Sequence, residues 1–187
     1  MADAPQDGRA LFDTALGPMG IAWSGDAIVA AMLPELDATE TARRLARRAP
    51  TVVTVAIVEA PEFVQRAVAR VQGLLRGERD DLRDIPVRMS GVSALHARVY
   101  EVARRIRPGE TLTYGEVAER LGDRSLARAV GEALGRNPVP VIVPCHRVVA
   151  ASGTLGGFSA PGGAETKRKL LQIEGAAAAS QLGLFGG

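Results

Sequence analysis

The feature that most constrains this fold is a proline-bounded apolar stretch between residues 137 and 149, which contains the only cysteine of the chain. Pro140 and Pro144 enclose three apolar residues. A short apolar run is typical of a buried strand, and proline is excluded from the interior of a paired strand. The pattern therefore predicts a short buried strand that ends in a turn. Cys145 and the adjacent His146 would be held at its end, facing a cleft.

A lone cysteine has two interpretations. It is usually an inert small hydrophobe in a core, whereas a reactive cysteine needs an electropositive, partly exposed environment that supports the thiolate. One Cys and two His exclude an intramolecular disulfide and are too few for a Cys/His zinc site. We therefore expect no metal and no cofactor.

The composition is that of a globular protein, and the sequence favours the cytoplasm. Hydrophobic residues make up 47% and aromatic residues only 4%, so the core must be built from Ala, Val, Leu and Ile. A lone reactive cysteine suits a reducing compartment, and the first residues do not resemble a signal peptide. No apolar run approaches the ~18 residues of a membrane span. We expect a monomer that does not contact a membrane.

The charge is unevenly distributed along the chain. Residues 1–90 hold 11 Arg and 13 Asp/Glu, a net charge of −2. Residues 91–187 hold 10 Arg, 2 Lys and 8 Asp/Glu, a net charge of +4. The half with the cysteine is therefore compatible with a polyanionic substrate, although a difference of this size is also common on solvated surfaces.

Residues 1–90 are predicted to form a small α/β unit. Residues 1–10 are expected to be frayed, and the apolar runs between Leu11 and Leu33 predict strands with a hairpin turn at Ser24-Gly25-Asp26. The other predicted elements are a helix over 39–48 capped by Thr39, a strand over 51–58, a helix from Pro61 to Gly77 and a short strand near 85–89. The arginines at 43, 44, 47 and 48 are expected on a solvated helix face rather than in a nucleic-acid patch.

Residues from 91 onward predict a helical unit with a helix-turn-helix. Ser93 is predicted to cap its first helix, and Thr113 and Glu116 form a capping box for the next. Ser125 is predicted to cap the following helix, which ends near Arg136. Such a pair of helices docks on DNA in many proteins and forms a plain corner in many more.

The second helix of this pair is narrow. Ala127, Ala129 and Gly131 have small or absent side chains, and Arg128 is the one large polar group in its early part. A narrow helix can approach a DNA groove closely, and a single arginine can take the place of a base that has been turned out. After the cysteine, a glycine-flanked loop at 155–159 precedes a closing helix over 164–174.

Several of these segments resemble the O6-alkylguanine-DNA alkyltransferases, also called methylated-DNA–protein-cysteine methyltransferases. The string Pro144-Cys145-His146-Arg147-Val148 resembles the active-site signature of that family. Four further segments resemble its recognition helix (128–131), pocket rim (155–159), terminal Leu-Leu…Glu-Gly (170–175) and first strand (16–23). The resemblance covers residues 91–175 well and 11–90 only loosely.

The resemblance implies an α/β (α+β) fold in two domains. Residues 1–90 would form a small, ribonuclease H-like supporting α/β domain with a short antiparallel sheet. Residues 91–175 would form a mainly helical DNA-binding and alkyl-acceptor domain, with the helix-turn-helix and a short active-site strand. Residues 176–187 would be a flexible tail.

The resemblance also implies DNA repair by direct, irreversible transfer of the alkyl group from O6-alkylguanine to Cys145. Each molecule would act once, on double-stranded DNA whose damaged base is flipped out. His146 would be the base, working through a water, and Glu174 would orient it. Asn137 would fix the turn before the cysteine, and Tyr114 would be the donor of a proton or hydrogen bond to the leaving base.

The same resemblance implies which residues contact the DNA and the base. Arg128 would enter the base stack. The other residues implied to contact DNA are Thr113, Ala127, Ala129, Gly131 and Arg136. The residues implied to form the substrate pocket are Tyr114, Val148, Gly156, Phe158 and Ser159. Among these, the Val148 backbone and Ser159 would recognise the edge of guanine.

Three other functions are weighed against this one. A cysteine hydrolase using Cys145 and His146 would need an oxyanion site and would leave the helix-turn-helix unexplained. A binding-only protein for alkylated DNA commonly replaces the cysteine, which is present here. A transcription regulator would carry several base-reading side chains on its second helix, and this helix is mostly Ala, Val and Gly.

The C-terminal residues carry one more motif. Gln181, Leu182, Leu184 and Phe185 form a Gln-Leu-x-Leu-Phe string that resembles the peptide by which bacterial repair and replication proteins bind the sliding clamp. A disordered end with accidental hydrophobic residues is the alternative.

Overall fold

A computed structural model describes residues 4–152 and 155–177 of the chain. The first half contains strands β1 (Asp7–Thr14), β2 (Gly17–Ser24), β3 (Ala27–Met32) and β4 (Val53–Thr54), with helices α1 (Ala38–Arg48) and α2 (Glu62–Leu75). The second half contains helices α3 (Ala94–Arg104), α4 (Tyr114–Arg120), α5 (Ala127–Gly135) and α6 (Gly163–Ile173), with strands β5 (Leu112–Thr113) and β6 (Val148–Val149). The predicted mixed α/β fold is confirmed.

The N-terminal sheet has the strand order β3-β2-β1-β4. β1, β2 and β3 are antiparallel neighbours, and β4 pairs with β1 in parallel. β2 is covered on both faces because its side chains alternate between them. Ala22 packs in a cluster with Leu45 of α1, whereas Ile21 and Trp23 belong to the large core that includes α2.

The predicted fraying of residues 1–10 is wrong for residues 7–10, because β1 begins at Asp7. Gly8 explains how this polar-looking segment joins the sheet. A Cβ at that position would lie 2.3 Å from the ring of Trp23, so only glycine lets the indole pack flat against the strand. The Trp23 Nε1–H also donates to the Pro5 carbonyl at 3.0 Å, which holds Pro5 next to the sheet.

The predicted strand over 51–58 is also largely wrong. Only Val53 and Thr54 pair with β1, and a 3-10 turn over Ile57–Glu59 follows. The β-branched composition is typical of a strand, but Val53 and Val58 are 55% and 82% exposed, so little burial supports it. The short strand predicted near 85–89 is reduced to a single bridge between Ile28 and Val87.

The two halves share one hydrophobic core. A backbone hydrogen bond of 3.0 Å joins the Ala31 N–H of β3 to the Pro138 carbonyl, just before the cysteine segment. The Arg104 Nη2 of α3 donates to the carbonyls of Arg83 and Ile85 at 2.6 and 2.7 Å. The N-terminal sheet therefore lies directly against the segment that presents Cys145. The domain boundary at residue 90 remains a prediction.

No helix among residues 4–152 and 155–177 is long and apolar enough to cross a membrane.

Candidate active site

Cys145 lies in a tight turn rather than at the end of a strand. The residues between Pro140 and Pro144 form no regular strand, so the predicted active-site strand is wrong in its position. The Val143 N–H donates to the Val139 carbonyl at 2.9 Å, and the Cys145 N–H donates to the Val143 carbonyl at 2.9 Å. The prolines cannot donate, so the chain satisfies its polar groups locally in turns. A 3-10 turn over Cys145–Arg147 follows, and β6 begins after it.

Asn137 fixes this turn through both ends of its amide. Its Nδ2 donates to the Val143 carbonyl at 2.8 Å, and its Oδ1 accepts the Val139 N–H at 2.9 Å. Val141, between these two anchors, has a φ of +75°, which is unusual for a β-branched residue. The surrounding hydrogen bonds hold a backbone conformation that an isolated peptide would avoid.

The two residues after the cysteine are tied to one buried carboxylate. His146 Nε2 lies 2.8 Å from Glu174 Oε1. Arg147 donates from Nε to Oε2 at 2.9 Å and from Nη2 to Oε1 at 2.8 Å, while its Nη1 donates to the Ile106 carbonyl at 2.7 Å. The side chains of His146 and Arg147 are 0% exposed and that of Glu174 is 2% exposed. Glu174 thus meets His146 and Arg147 together.

The protonation of this cluster follows from its burial. Burial lowers the pKa of His146, and the opposing charge of Glu174 does not overcome that effect. Burial alone would raise the pKa of Glu174, but the charges and hydrogen bonds of His146 and Arg147 lower it to about 2. Because His146 is neutral at pH 7, Arg147 supplies the lasting positive charge that keeps the carboxylate ionised.

The neutral imidazole is held in one tautomer. Glu174 is a carboxylate and only accepts, so His146 Nε2 must carry the hydrogen and Nδ1 the lone pair. Within the described residues, Nδ1 is buried and has no hydrogen-bond partner. His146 directly follows Cys145 in the sequence, so this unpartnered nitrogen is the candidate base that accepts the thiol proton.

Lys167 of α6 is a functional candidate that the sequence interpretation missed. Its side chain is buried, its Nζ donates to the Val148 carbonyl at 2.6 Å, and it lies 5.7 Å from the Tyr114 ring centroid and 5.9 Å from that of Phe158. Burial lowers its pKa to about 8. A signal was available, because Lys167 lies three and four residues before Leu170 and Leu171 on the apolar face of α6.

The thiol is subject to opposing influences. Burial raises the pKa of Cys145, whereas a hydrogen bond with Asn137, the charge of Lys167 and nearby backbone N–H groups act to lower it. Cys145 is 8% exposed, so the sulfur is reached only through a narrow opening. The resting thiol is therefore protonated, and its reaction requires a base.

That opening is a cavity of about 60 Å³ between the two halves. Cys145, Asn137 and Pro140 line one side. Residues 31–33 of the N-terminal half, together with Arg44 and Arg48 of α1, line another. Arg43, Arg47 and Arg48 are exposed, as a solvated helix face predicts, and Arg44 is half-buried. Arg44 and Arg48 border the cavity as well.

The comparisons with known proteins decide the family. Residues 94–176 match the family described as 6-O-methylguanine DNA methyltransferase, DNA binding domain. The methylated-DNA–protein-cysteine methyltransferase of Mycobacterium tuberculosis is 40% identical over 125 residues, which cover 67% of this chain and 73% of the relative. The chain belongs to the methylated-DNA–protein-cysteine methyltransferase family.

Other members and solved structures agree with this assignment. The Metallosphaera sedula methyltransferase is 44% identical over 106 residues, 57% of this chain and 64% of the relative, slightly less than two thirds of its length. The crystal structure of the Mycobacterium tuberculosis O6-methylguanine methyltransferase superposes with a TM-score of 0.73 at 31% identity, covering 96% of this chain and 99% of that one. The structure of that protein in complex with DNA gives a TM-score of 0.70 at 29% identity, covering 94% and 99%.

The helix-turn-helix expected of a methyltransferase of this family is present, with one correction. The capping box is confirmed, since Thr113 Oγ1 accepts the Glu116 N–H at 3.1 Å and Glu116 accepts the Thr113 N–H at 2.6 Å. The predicted cap at Ser125 is wrong. Asp123 caps a 3-10 turn over 124–126 instead, by accepting the Ser125 N–H, and α5 begins only at Ala127.

The residues implied to contact DNA lie along α5 or at the start of α4. Arg128 is exposed, and no hydrogen bond or ion pair engages its guanidinium among the described residues. Arg136, by contrast, pairs with Glu132 at 2.9 Å, which offsets its charge. Ala127, Ala129 and Gly131 are half-buried. Of the two arginines implied to contact DNA, Arg128 is therefore the one without an ion-pair partner among the described residues.

An open groove beside α5 is lined by Arg128, Tyr114, Phe158 and Ser159, with Ala127, Gly131, Gly135 and Gly157. Gly156 has a φ of +66°, and a Cβ there would lie 2.8 Å from the Tyr114 hydroxyl oxygen, so glycine is required. The Tyr114 hydroxyl lies 3.4 Å from the Gly157 carbonyl. The groove and the cavity at Cys145 share the segment around Phe158, which separates them.

Two residues implied to recognise guanine already have partners. The Ser159 Oγ donates to the Gly135 carbonyl at 2.7 Å. The Val148 N–H donates to the Cys145 carbonyl, and the Val148 carbonyl accepts from Lys167. The motif at 181–185 that resembles a clamp-binding peptide lies outside the described residues.

Proposed function

We propose that this protein repairs O6-alkylguanine in DNA by transferring the alkyl group to Cys145. The observation that carries the proposal is the free Nδ1 of His146. The ring is held by Glu174, and the residue is next in sequence to Cys145, which lines a cavity bordered by α5. The membership of the chain in a methyltransferase family, and a DNA complex of a similar protein, support it.

The reaction is a displacement at the alkyl carbon. His146 Nδ1 takes the thiol proton, directly or through a water, and the thiolate sulfur forms a bond to the alkyl carbon. The bond between that carbon and guanine O6 breaks, and its electron pair leaves with the base. The proton held by His146 returns to the guanine, so charge and protons balance.

Each neighbour has a part in this step. Arg147 and Glu174 hold the His146 ring in the tautomer that can accept, and Lys167 favours the thiolate by its charge. Burial raises the pKa of Tyr114, so its hydroxyl stays protonated at pH 7 and can donate a hydrogen bond to the departing base. The product is a thioether, and we infer that each molecule therefore reacts once.

The deciding experiment is an intact-mass measurement after incubation with a duplex that carries one O6-methylguanine. We expect a gain of one methyl group on Cys145 that stops after one equivalent, and no gain for Cys145→Ala. A gain in the Cys145→Ala variant, or continued turnover, would refute the proposed acceptor. A duplex with unmodified guanine is the matched control.

We infer further that the damaged base leaves the duplex and that Arg128 takes its place. The support is a single unpaired arginine on a narrow helix that borders the groove. Extruding a base costs a few kcal/mol in duplex DNA and nothing in a free base. Arg128→Ala should therefore slow reaction with duplex substrate more than with free O6-benzylguanine, and equal losses would argue against extrusion.

The motif formed by Gln181, Leu182, Leu184 and Phe185 supports a proposal on partners. We propose that it binds a bacterial sliding clamp. Deletion of residues 181–187 should abolish clamp binding in a pull-down and spare alkyl transfer. An intact protein that fails to bind the clamp would eliminate the idea.

A further inference from the structure

The cavity at Cys145 contains positive charge that methyl transfer does not require. Arg44 and Arg48 line it from the N-terminal half, opposite the largely apolar Leu134, Pro140 and Phe158. A methyl or unsubstituted alkyl group is neutral and would be bound equally well by apolar side chains. The two arginines therefore need another explanation.

The two arginines differ in how they are engaged. Arg44 forms an ion pair with Glu35, whose side chain is only 9% exposed. Arg48 has no hydrogen bond or carboxylate partner within the part of the chain that the structure describes. Two positive charges and one negative charge leave a net charge of +1 at this wall, and Arg48 carries it.

Arg48 is exposed to solvent, yet it borders the cavity that holds the thiol. The lining of this small cavity includes both Arg48 and Cys145. A substituent that projects from the base towards Cys145 would therefore enter a space that Arg48 borders.

We infer that Arg48 forms an anion subsite for O6 substituents that carry a carboxylate, such as carboxymethyl. This inference rests on the proposed function and names a substrate class for it. In carboxymethylguanine the carboxylate is attached to the carbon that the thiolate attacks. Two negative groups then approach each other in the transition state, and a guanidinium at the cavity wall offsets their repulsion.

The reaction itself is unchanged. The Cys145 sulfur forms a bond to the CH₂ carbon, the bond from that carbon to O6 breaks, and the electron pair and one proton go to guanine. The carboxylate remains on the protein as a carboxymethyl thioether. Arg48 takes no proton and acts only through its charge and its hydrogen bonds.

A neutral isostere isolates the effect of charge. Single-turnover rate constants would be measured with one duplex sequence bearing O6-carboxymethylguanine or O6-carbamoylmethylguanine, whose substituents differ only in a carboxylate against an amide. The variants are Arg48→Gln and, as the matched control, Arg47→Gln. Arg47 is an exposed neighbour on the same helix that does not line the cavity.

The expected result is a change in a ratio. The carboxymethyl-to-carbamoylmethyl rate ratio should fall by about three- to ten-fold in Arg48→Gln, the range of a partly exposed charge pair. It should be unchanged in Arg47→Gln and largely retained in Arg48→Lys. High salt should lower the ratio in the wild type and have less effect in Arg48→Gln.

Two results would overturn the subsite. Equal losses for both adducts in Arg48→Gln would show that the residue holds DNA or supports the fold, and an unchanged ratio would show that its charge does not reach the substituent. A separate arm with O6-methylguanine and wild-type protein tests the proposed function. Methyl transfer without carboxymethyl transfer would eliminate only the subsite, and failure of both would remove the function as well.

Discussion

The two halves of the molecule bury very different groups. Among the described residues, the N-terminal half buries one polar side chain, Thr41, which bonds to the backbone beside α1. The C-terminal half buries five: Asn137, His146, Arg147, Lys167 and Glu174. Asn137 and Lys167 act on the Cys145 thiol, and the other three form one hydrogen-bonded cluster that begins at the next residue. The N-terminal half is therefore an apolar support. The C-terminal half removes polar and charged side chains from water around the candidate active site.

The difference shows how a buried polar cluster can be tolerated. Removing charges from water is costly unless they meet each other with good geometry. Arg147 and Glu174 form a two-pronged pair, and Asn137 and Lys167 are bonded to backbone carbonyls. The exception in this cluster is the Nδ1 of His146. The atom left without a partner is the one that the proposed reaction uses.

The comparison is tested most strongly by Glu174→Gln. The amide has the same shape but no charge, so Arg147 would be buried without compensation and His146 would lose its orienting carboxylate. We expect a loss of about 3–5 kcal/mol in the free energy of unfolding, together with a near-complete loss of alkyl transfer. Urea unfolding and the intact-mass assay measure the two effects.

The pH dependence of stability provides an independent check on Glu174. Its folded-state pKa of about 2 lies below its ordinary value of 4.5, so its contribution is present above pH 4.5 and is lost as the pH falls towards 2. In Glu174→Gln, the part of the fall in stability between pH 4.5 and 2 that comes from protonating Glu174 should be absent. Asp84→Asn is the control, because the Asp84 side chain is 77% exposed in its pair with Arg70 and should cost under about 1 kcal/mol. Equal costs in the two variants would contradict the comparison.

The supporting half is tested by Trp23→Phe. Trp23 is fully buried in the sheet, and its Nε1–H donates to the Pro5 carbonyl. The smaller ring leaves a void and removes that hydrogen bond, so we expect a loss of about 2 kcal/mol in the free energy of unfolding. The transfer rate per folded molecule should not change, since Trp23 does not line the cavity. A slower alkyl-transfer rate in the fully folded variant would show that the sheet does more than support the site.

The sequence was most informative where structure is local. The helix capped by Ser93, the capping box at Thr113 and the hairpin at Gly25 were all predicted from a few neighbouring residues. Caps and turns are decided by side chains three or four positions apart, so a linear pattern often contains them. The caps predicted at Thr39 and Ser125 are instead Asp37 and Asp123, each two residues earlier. The strand predicted before Cys145 failed for the opposite reason, because two prolines and Asn137 organise that segment as turns.

The part of the site that sequence patterns missed depends on contacts between distant residues. Arg147 is an ordinary basic residue until α6 brings Glu174 to it, 27 positions later. Arg48 belongs to a helix whose charge pattern indicates a solvated face, and only the packing of the two halves places it at the cavity. The first half of β1, residues 7–10, was missed because its pairing with β2 depends on the close approach of Trp23 to Gly8.

The smaller of the two expected effects on alkyl transfer concerns Lys167, the buried cation without a carboxylate partner among the described residues. In Lys167→Met the thiol loses a nearby positive charge, which raises the pKa of Cys145. Because a smaller fraction of the thiol is then ionised, we expect alkyl transfer at pH 7 to slow by about ten-fold. The rate–pH profile should be displaced to higher pH in the variant, and a uniform loss at every pH would indicate a merely structural role.

The stability of the same variant separates charge from packing. The folded-state pKa of Lys167 is lowered from 10.5 to about 8, so the folded protein carries the cost of a buried ammonium below pH 8. As the pH rises from 8 to 10.5, the unfolded chain binds more protons, and wild-type stability should increase relative to the variant by on the order of 3 kcal/mol. If the free energies of unfolding of wild type and Lys167→Met differ by a constant amount across this pH range, Lys167 is not desolvated in the folded protein. If the predicted pH dependence is found, the buried ammonium of Lys167 lowers the stability of the protein near neutral pH while it favours the Cys145 thiolate.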